Sequence, residues 1–78
     1  MVLGKQYARY ERSQKAHQRL FEKHLNGRTN KDKVKALYHA SVRTRQRIDG
    51  MRVLGRSEKK AVYRDAKKRV AAGKYPFK

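Results

Sequence analysis

The sequence predicts an all-α protein, a small three-helix domain of residues 1–78 in which an antiparallel helical hairpin precedes a third, basic helix. Three observations lead to this prediction. Apolar residues recur with the helical period in three segments, a glycine follows each segment, and strand-type alternation is missing elsewhere. A chain of 78 residues suits one domain, and the absence of cysteine excludes disulfide bonds and cysteine-based zinc sites.

The first helix is predicted over residues 5–25. With a turn of about 100° per residue, its apolar and aromatic residues fall on one broad side of the helix. Asn26 and Gly27 follow as a predicted left-handed stop, the conformation in which glycine commonly ends a helix. The predicted buried side comprises Tyr7, Tyr10, His17, Leu20, Phe21, His24 and Leu25.

The second helix is predicted over residues 31–49, and Gly50 is predicted to end it. Thr29 or Asn30 is a suitable N-cap, because a short polar side chain there accepts a hydrogen bond from a free backbone N–H of the first turn. Asp32 lies three residues after Thr29, at the spacing of a capping box. These signals define where the second helix starts and stops.

The turn over residues 26–30 is short, which favours antiparallel packing of the first two helices. Arg45 falls on the apolar side of the second helix. There it would snorkel towards solvent, pair with an acid such as Glu11 or Glu22, or show that this side is not core. The apolar side comprises Val34, Leu37, Tyr38, Ser41, Val42 and Ile48.

The third helix is predicted over residues 58–72, with Ser57 as its N-cap and Gly73 after its last turn. Its apolar stripe is thin and consists of Val62, Ala66 and Val70. The stripe is enough to pack the helix on the hairpin and leaves most of its circumference to charged residues.

Two irregular segments flank the third helix. In the connector before it, Met51, Val53 and Leu54 are predicted to face the core; a single short strand is the alternative, but it has no partner strand in the sequence. Residues 73–78 are predicted to form a flexible C-terminal tail, since proline cannot continue a helix. Aromatic residues of this tail would either pack into a groove of a partner or be disordered; they are Tyr75 and Phe77.

The net charge is +17, from 23 Lys and Arg against 6 Asp and Glu. Leu, Ile, Val and Phe together number 14 of 78 residues, so the core is small and self-repulsion opposes compaction. The basic residues form ridges that contain almost no acids, which favours a polyanionic partner over an ordinary solvated face. The residues predicted to contact nucleic acid are Lys5, Arg9, Arg12, Arg19, Lys23, Arg43, Arg47, Arg52, Arg56, Lys60, Arg64, Lys67 and Lys68.

Among polyanions, RNA is favoured because positive charge on several faces suits a protein embedded in folded RNA. Anionic lipid is disfavoured because the apolar positions just suffice to pack the helices on each other. A helix-turn-helix that binds DNA is the alternative, with the second or third helix in the major groove. In that alternative, the second helix would present its outward basic side, which comprises Lys35, His39, Arg43 and Gln46 or Arg47.

No catalytic constellation is predicted. Ser13, Ser41 and Ser57 have no histidine–acid pair at an interpretable spacing, and no glycine-rich phosphate loop occurs. His17 and His24 are expected at the edge of the core, packed or bonded to a tyrosine hydroxyl, rather than on a metal. We therefore expect no enzymatic activity, cofactor, metal or small-molecule substrate. Of the aromatic residues, Tyr7, Tyr10, Phe21 and Tyr38 are expected in the core, whereas Tyr63, Tyr75 and Phe77 are freer to stack on bases.

Short length, strong basic charge, absence of cysteine and helical pattern are together similar in character to small ribosomal proteins. The sequence thus predicts a structural RNA-binding component of a ribonucleoprotein particle, ribosomal or organellar-ribosomal, with protein neighbours in the assembly. A viral or nucleoid-associated DNA-binding protein is the first alternative, and a basic accessory subunit on an acidic protein surface is the second. No segment is long and apolar enough to predict a membrane span, and the expected location is a reducing intracellular compartment, the cytoplasm or the mitochondrial matrix.

Overall fold

The computed structural model describes residues 4–77 and contains three helices, α1 (Gly4–Leu25), α2 (Asn30–Ile48) and α3 (Arg56–Ala71). No strand occurs within these residues. The all-α prediction is therefore confirmed, and each predicted helix boundary lies within two residues of the observed one.

Helix α2 is the central element of the fold. It packs against α1 on one side and α3 on the other, whereas α1 and α3 share no helix-to-helix packing within residues 4–77. Ser13 of α1 contacts Gln46 near the end of α2, and His24 near the end of α1 contacts Asp32 at the start of α2. Earlier residues of α1 thus contact later residues of α2, and this confirms the predicted antiparallel hairpin.

The apolar core lies between α2 and α3. One cluster of buried side chains joins Val34 and Leu37 to Ala66, and a second cluster joins Val42 to Leu54 and Val62. The Tyr38 side chain is half-buried and packs against both clusters. Small and β-branched side chains let the two helices approach closely, so a thin core suffices to hold them together. These buried positions are Val34, Leu37, Val42, Leu54, Val62 and Ala66.

Several residues predicted to face the core are exposed. Ile48 is 72% exposed, and Leu54 of the connector is the core residue that packs with Val42 and Val62 instead. Among the helices, α1 packs on α2 alone and therefore buries only a narrow stripe. The predictions of burial were wrong for Tyr7, Leu20, Ile48, Met51 and Val53, which are all exposed.

The interface between α1 and α2 is polar. The Ser13 hydroxyl donates to Oε1 of Gln46 at 3.2 Å, and Nε2 of Gln14 donates to the backbone carbonyl of Arg43 at 2.9 Å. In return, Nε of Arg43 donates to Oε1 of Gln14 at 3.1 Å. Gln46 is fully buried, and its Oε1 also accepts from the backbone N–H of Leu54 at 3.2 Å. One glutamine therefore ties α1, α2 and the connector together.

Two buried histidines lie at the middle of this interface. Nδ1 of His17 and Nδ1 of His39 are 2.8 Å apart, so one nitrogen donates and the other accepts. His39 was predicted on an outward basic ridge, and that prediction was wrong: it is 8% exposed and faces α1. His17 is buried as expected, but its hydrogen-bond partner is a histidine and not a tyrosine hydroxyl. Tyr38 lies edge-on to His17, with ring centroids 6.2 Å apart.

The environment keeps both imidazoles neutral. Burial lowers the pKa of His17 and lowers the pKa of His39 from 6.5 to about 4, and neighbouring positive charge acts in the same direction. A shared hydrogen bond between two imidazoles also requires that at least one of them be unprotonated. The neighbours that contribute are Lys59 and Arg43 for His17, and His17, His24, Lys35 and Lys59 for His39.

The predicted Thr29 cap of α2 is confirmed: its hydroxyl accepts from the backbone N–H of Asp32 at 3.0 Å. The predicted left-handed stop at Gly27 was wrong, because the positive φ values within residues 4–77 belong to Gly50, Met51 and Gly73. Glycine suits position 27 for a different reason. A Cβ there would collide with the side chain of Asp32, whose Oδ1 lies 3.0 Å from Nδ1 of His24.

Helix α3 starts earlier than predicted. Its N-cap is Gly55, whose backbone N–H donates to Oε1 of Glu58 at 3.0 Å. The predicted Ser57 cap was therefore wrong, because Ser57 lies within the first turn of the helix. Glu58 also binds the Arg52 guanidinium, and these two contacts lower the pKa of Glu58 to about 2. Gly73, at φ +75°, ends the helix as predicted.

The segment after α3 is non-helical, as predicted, and its packing was not predicted. Tyr75 and Phe77 pack against the cluster of Val34, Leu37 and Ala66. The Phe77 ring also meets Phe21 of α1 edge-on, with centroids 4.9 Å apart. This segment therefore links α1 to the α2–α3 core. Lys78, the last residue of the predicted tail, lies outside the described residues.

The burial of Leu54 generates a stability prediction. Leu54→Ala removes a side chain that is 3% exposed and leaves a cavity between α2 and α3. We expect a loss of about 2–5 kcal/mol in the free energy of unfolding, measured by urea denaturation followed by circular dichroism. Val53→Ala is the matched control, because Val53 is 37% exposed. Equal effects of the two substitutions would contradict the observed packing of the connector.

The neutral histidine pair generates a pH prediction. Because the fold holds both pKa values below 6.5, the folded state binds fewer protons than the unfolded state as the pH falls from 6.5 towards about 4. The contribution of the two histidines to the free energy of unfolding is therefore fully present above pH 6.5 and is lost as the pH falls through this window. His39→Asn, which keeps a hydrogen-bonding group and removes the titration, should flatten the decline in unfolding free energy between pH 7 and 5. An unchanged decline in the variant would disprove this cause.

Candidate nucleic-acid interface

One face of α3 carries a continuous stripe of cationic and aromatic side chains. Their spacing of three or four residues places them above one another along the helix. At 1.5 Å per residue, the stripe is about 16 Å long. We call it the α3 stripe, and it comprises Arg56, Lys59, Lys60, Tyr63, Arg64 and Lys67.

The α3 stripe borders an open groove of about 680 Å³, whose wall on α2 is formed by Tyr38. Val62 and Ala66 are buried against α2. At 3.6 residues per turn, Lys59 and Tyr63 lie nearest to this contact around the α3 axis, whereas Lys60 and Arg64 lie on the far side of the helix from it. The cations of the stripe are exposed, except for the half-buried Lys59.

The charge of this groove is of one sign. Five cationic side chains line it together with two tyrosines and no acid. Four other surface depressions each contain an acid, which is Glu11, Glu22 or Asp65. The groove on α3 is thus a place where positive charge gathers without an acid among the lining residues, and such an arrangement attracts a polyanion.

The aromatic rings of the groove have a defined arrangement. Tyr38 and Tyr63 meet edge to face, with centroids 5.4 Å apart and planes inclined by 76°. Nζ of Lys67 lies over the Tyr63 ring, 6.0 Å from its centroid. Burial, with a smaller contribution from Tyr63, raises the pKa of Tyr38, so its phenol stays neutral at physiological pH. Both rings are half-buried.

The structure brings four of the predicted nucleic-acid-binding residues together in this groove: Arg56, Lys60, Arg64 and Lys67. Lys68 lies outside it, in a separate depression with Asp65. The basic residues of α1 are exposed on a different helix, away from the groove, and form a second basic surface. This α1 surface comprises Lys5, Arg9, Arg12, Arg19 and Lys23.

Other predicted residues make contacts within the protein. The Arg43 guanidinium donates to Gln14 and Gln18 of α1, and the side chain is half-buried. The Arg52 guanidinium binds Glu58 through two hydrogen bonds, of 3.0 and 2.6 Å, and lies 3.5 Å from an Asp49 carboxylate oxygen. These arginines hold helices and connector in position, and any role in binding nucleic acid remains a prediction for them.

Two further arginines lie on the surface. Arg47 is exposed at the end of α2, beside a depression shared with α1. Arg45 pairs with Asp49, one helical turn later, at 3.3 Å, and is exposed. Of the three outcomes that the sequence left open, Arg45 therefore pairs with an acid, which is Asp49 and not Glu11 or Glu22.

The sequence prediction missed Lys59 and the position of Tyr38. Lys59 is half-buried and lines the groove, and its charge also acts on the His17–His39 pair. Its spacing from Arg56 and Tyr63 was the available signal, since all three lie on one side of a helix. The place of Tyr38 depends on how α2 and α3 dock, which the sequence pattern of one helix does not contain.

Within residues 4–77, no group of three or more His, Cys, Asp or Glu side chains is arranged to hold a metal ion. In the same part of the chain, none of the helices has the length and apolar character needed to cross a membrane. Comparison of the chain with protein-family models, curated proteins and solved structures gave no match.

Proposed function

We propose that this protein binds RNA through the groove along α3 and serves as a structural component of a ribonucleoprotein particle, with a ribosomal or organellar-ribosomal particle as the expected setting. The observation that carries the proposal is the acid-free row of five cations, Arg56, Lys59, Lys60, Arg64 and Lys67, beside two tyrosines. Backbone phosphates would be neutralised along this row, and release of their counterions would supply much of the affinity.

The two kinds of cation have different roles in this proposal. Arg56 and Arg64 present planar guanidinium groups that can donate two parallel hydrogen bonds to one phosphate. Lys59, Lys60 and Lys67 act as point charges on flexible stems. A nucleic-acid backbone that follows the stripe for about 16 Å would bring several successive phosphates to this row of cations.

Two observations favour RNA over a DNA helix-turn-helix. The α2 residues that would read base edges are turned inward, since His39 and Gln46 are buried and Arg43 is half-buried. In addition, α1 carries a second exposed basic surface that does not adjoin the groove. Two basic surfaces on separate helices suit a protein that contacts folded RNA on more than one side. Duplex DNA and an acidic protein are the competing ligands to test.

The proposal predicts a position-dependent effect of charge reversal. Lys60→Glu with Arg64→Glu removes two cations of the stripe and should weaken binding to a structured RNA hairpin roughly tenfold or more. The slope of log affinity against log salt should shrink by about 1.4, from about 0.7 for each lost phosphate contact. Fluorescence anisotropy at about 50 and about 200 mM salt would measure both quantities.

The matched control is Lys68→Glu with Lys74→Glu, which changes the net charge by the same amount outside the groove. Equal weakening by the two double variants would overturn the assignment of the groove. Duplex DNA of equal length and poly-glutamate are the competitors. Duplex DNA that binds as tightly as the hairpin would favour the DNA alternative, and a flat salt dependence with preference for poly-glutamate would favour the accessory-subunit alternative.

A further inference from the structure

We infer that the groove takes an unpaired nucleotide of RNA, whose base stacks on the Tyr63 ring while the phosphates on either side of it bind the cations of the stripe. This inference rests on the proposed function and adds the conformation of the ligand to it. It depends on where the aromatic rings lie relative to the charges.

Tyr63 occupies the middle of the stripe. Lys59 and Lys60 precede it by one helical turn, and Arg64 and Lys67 lie beside it and one turn after it. A nucleotide has the same order, with a base between two backbone phosphates. An unpaired base placed on the ring would therefore bring its flanking phosphates to cations in both directions along α3.

The Tyr63 ring is held in a fixed orientation. The edge-to-face contact with Tyr38 has a centroid distance of 5.4 Å, and Tyr63 also packs against the cluster of Val34, Leu37 and Ala66. A ring that is already ordered loses little conformational entropy when a base stacks on it. The contacts with the core thus prepare the ring as a stacking platform.

A side chain that can move covers the ring on the groove side. The Lys67 ammonium lies over the Tyr63 ring at 6.0 Å from the centroid, a distance typical of a weak exposed cation–π contact. Lysine stems are flexible, so the ammonium can leave the ring and bind a phosphate instead. The weak contact between the Lys67 ammonium and the Tyr63 ring would then be replaced by two interactions: a base stacked on the ring and a phosphate bound to the ammonium.

The groove volume and the charge pattern distinguish an unpaired strand from a regular duplex. A volume of about 680 Å³ lies within the range of pockets that enclose small organic groups. A regular duplex keeps its bases stacked inside and offers phosphates and sugars to a protein, so it would leave the Tyr63 and Tyr38 rings without a ligand. Aromatic rings between cations are instead the arrangement used for unpaired bases.

The test compares three probes that carry the same number of phosphates: a single-stranded RNA, its abasic analogue, and a blunt RNA duplex. We expect wild-type protein to bind the base-containing strand about 5- to 100-fold more tightly than the abasic strand, as one or two stacked bases would produce. A 2-aminopurine base in the strand should lose fluorescence on binding. The abasic probe needs no protein variant, so this result does not depend on the folding of a mutant.

The variant arm uses Tyr63→Leu and Tyr63→Phe, with Tyr7→Leu as the matched control on an exposed tyrosine of α1. Tyr63→Leu should lose the preference for the base-containing strand, whereas Tyr63→Phe and Tyr7→Leu should keep it. Circular dichroism verifies the helical content of each variant. Adenosine monophosphate, which offers a base without flanking phosphates, should compete weakly.

The outcomes separate the two levels of the proposal. Equal affinity for all three probes, combined with weakening by Lys60→Glu and Arg64→Glu, would overturn base stacking and leave RNA binding by the groove in place. No effect of that double charge reversal would overturn the proposed function itself. If adenosine monophosphate competed as tightly as the single-stranded RNA binds, a mononucleotide would be the ligand. That result would also overturn the inference.

Discussion

The contact of Val62 and Ala66 with α2 is the interaction on which the rest of the structure depends. These two side chains, one helical turn apart and both buried, fix the rotation of α3 about its own axis. Once that rotation is fixed, every other residue of α3 has a defined direction. The α3 stripe then begins beside this contact, next to Tyr38. The groove is open because the core between α2 and α3 is thin.

The strong positive charge constrains the other half of the fold. In a chain of net charge +17, a hairpin interface made of further cations would be repelled, and only six acids are present to neutralise them. The α1–α2 interface instead uses mainly neutral amides, a hydroxyl and two neutral imidazoles, and Arg43 is a cation that donates across it to Gln14 and Gln18. Gln46 is its central member, because its Oε1 accepts from both Ser13 and Leu54. Neutral groups thus supply most of the polar contacts of the hairpin, and most of the cations lie on the surface.

Much of the fold could be predicted from the sequence because it is encoded locally. Glycines, the Thr29 cap and the helical period define three helices to within two residues. The buried faces were less predictable, since burial depends on which helices meet. Ile48 has the right period for the core but is 72% exposed, and His39, which was predicted on a basic ridge, is buried and paired with His17.

The candidate site was predictable in its chemistry and not in its shape. The sequence alone predicted that Arg56, Lys60, Arg64 and Lys67 contact nucleic acid. It could not join them to Tyr38, which lies on another helix, nor show that Arg52 is engaged by Glu58. The distances between residues on different helices depend on how the helices pack at the core. Because the core has few side chains, the sequence pattern contains little information about that packing.

The most direct measurement is a titration of isotope-labelled protein with single-stranded RNA, followed by backbone and side-chain NMR shifts. RNA binding by the groove predicts that the largest shifts fall on residues 56–67 and on Tyr38, whereas Lys68 and Lys74, which lie outside the groove, change little. Shifts confined to α1, with residues 56–67 unaffected at saturation, would contradict the groove as the binding surface.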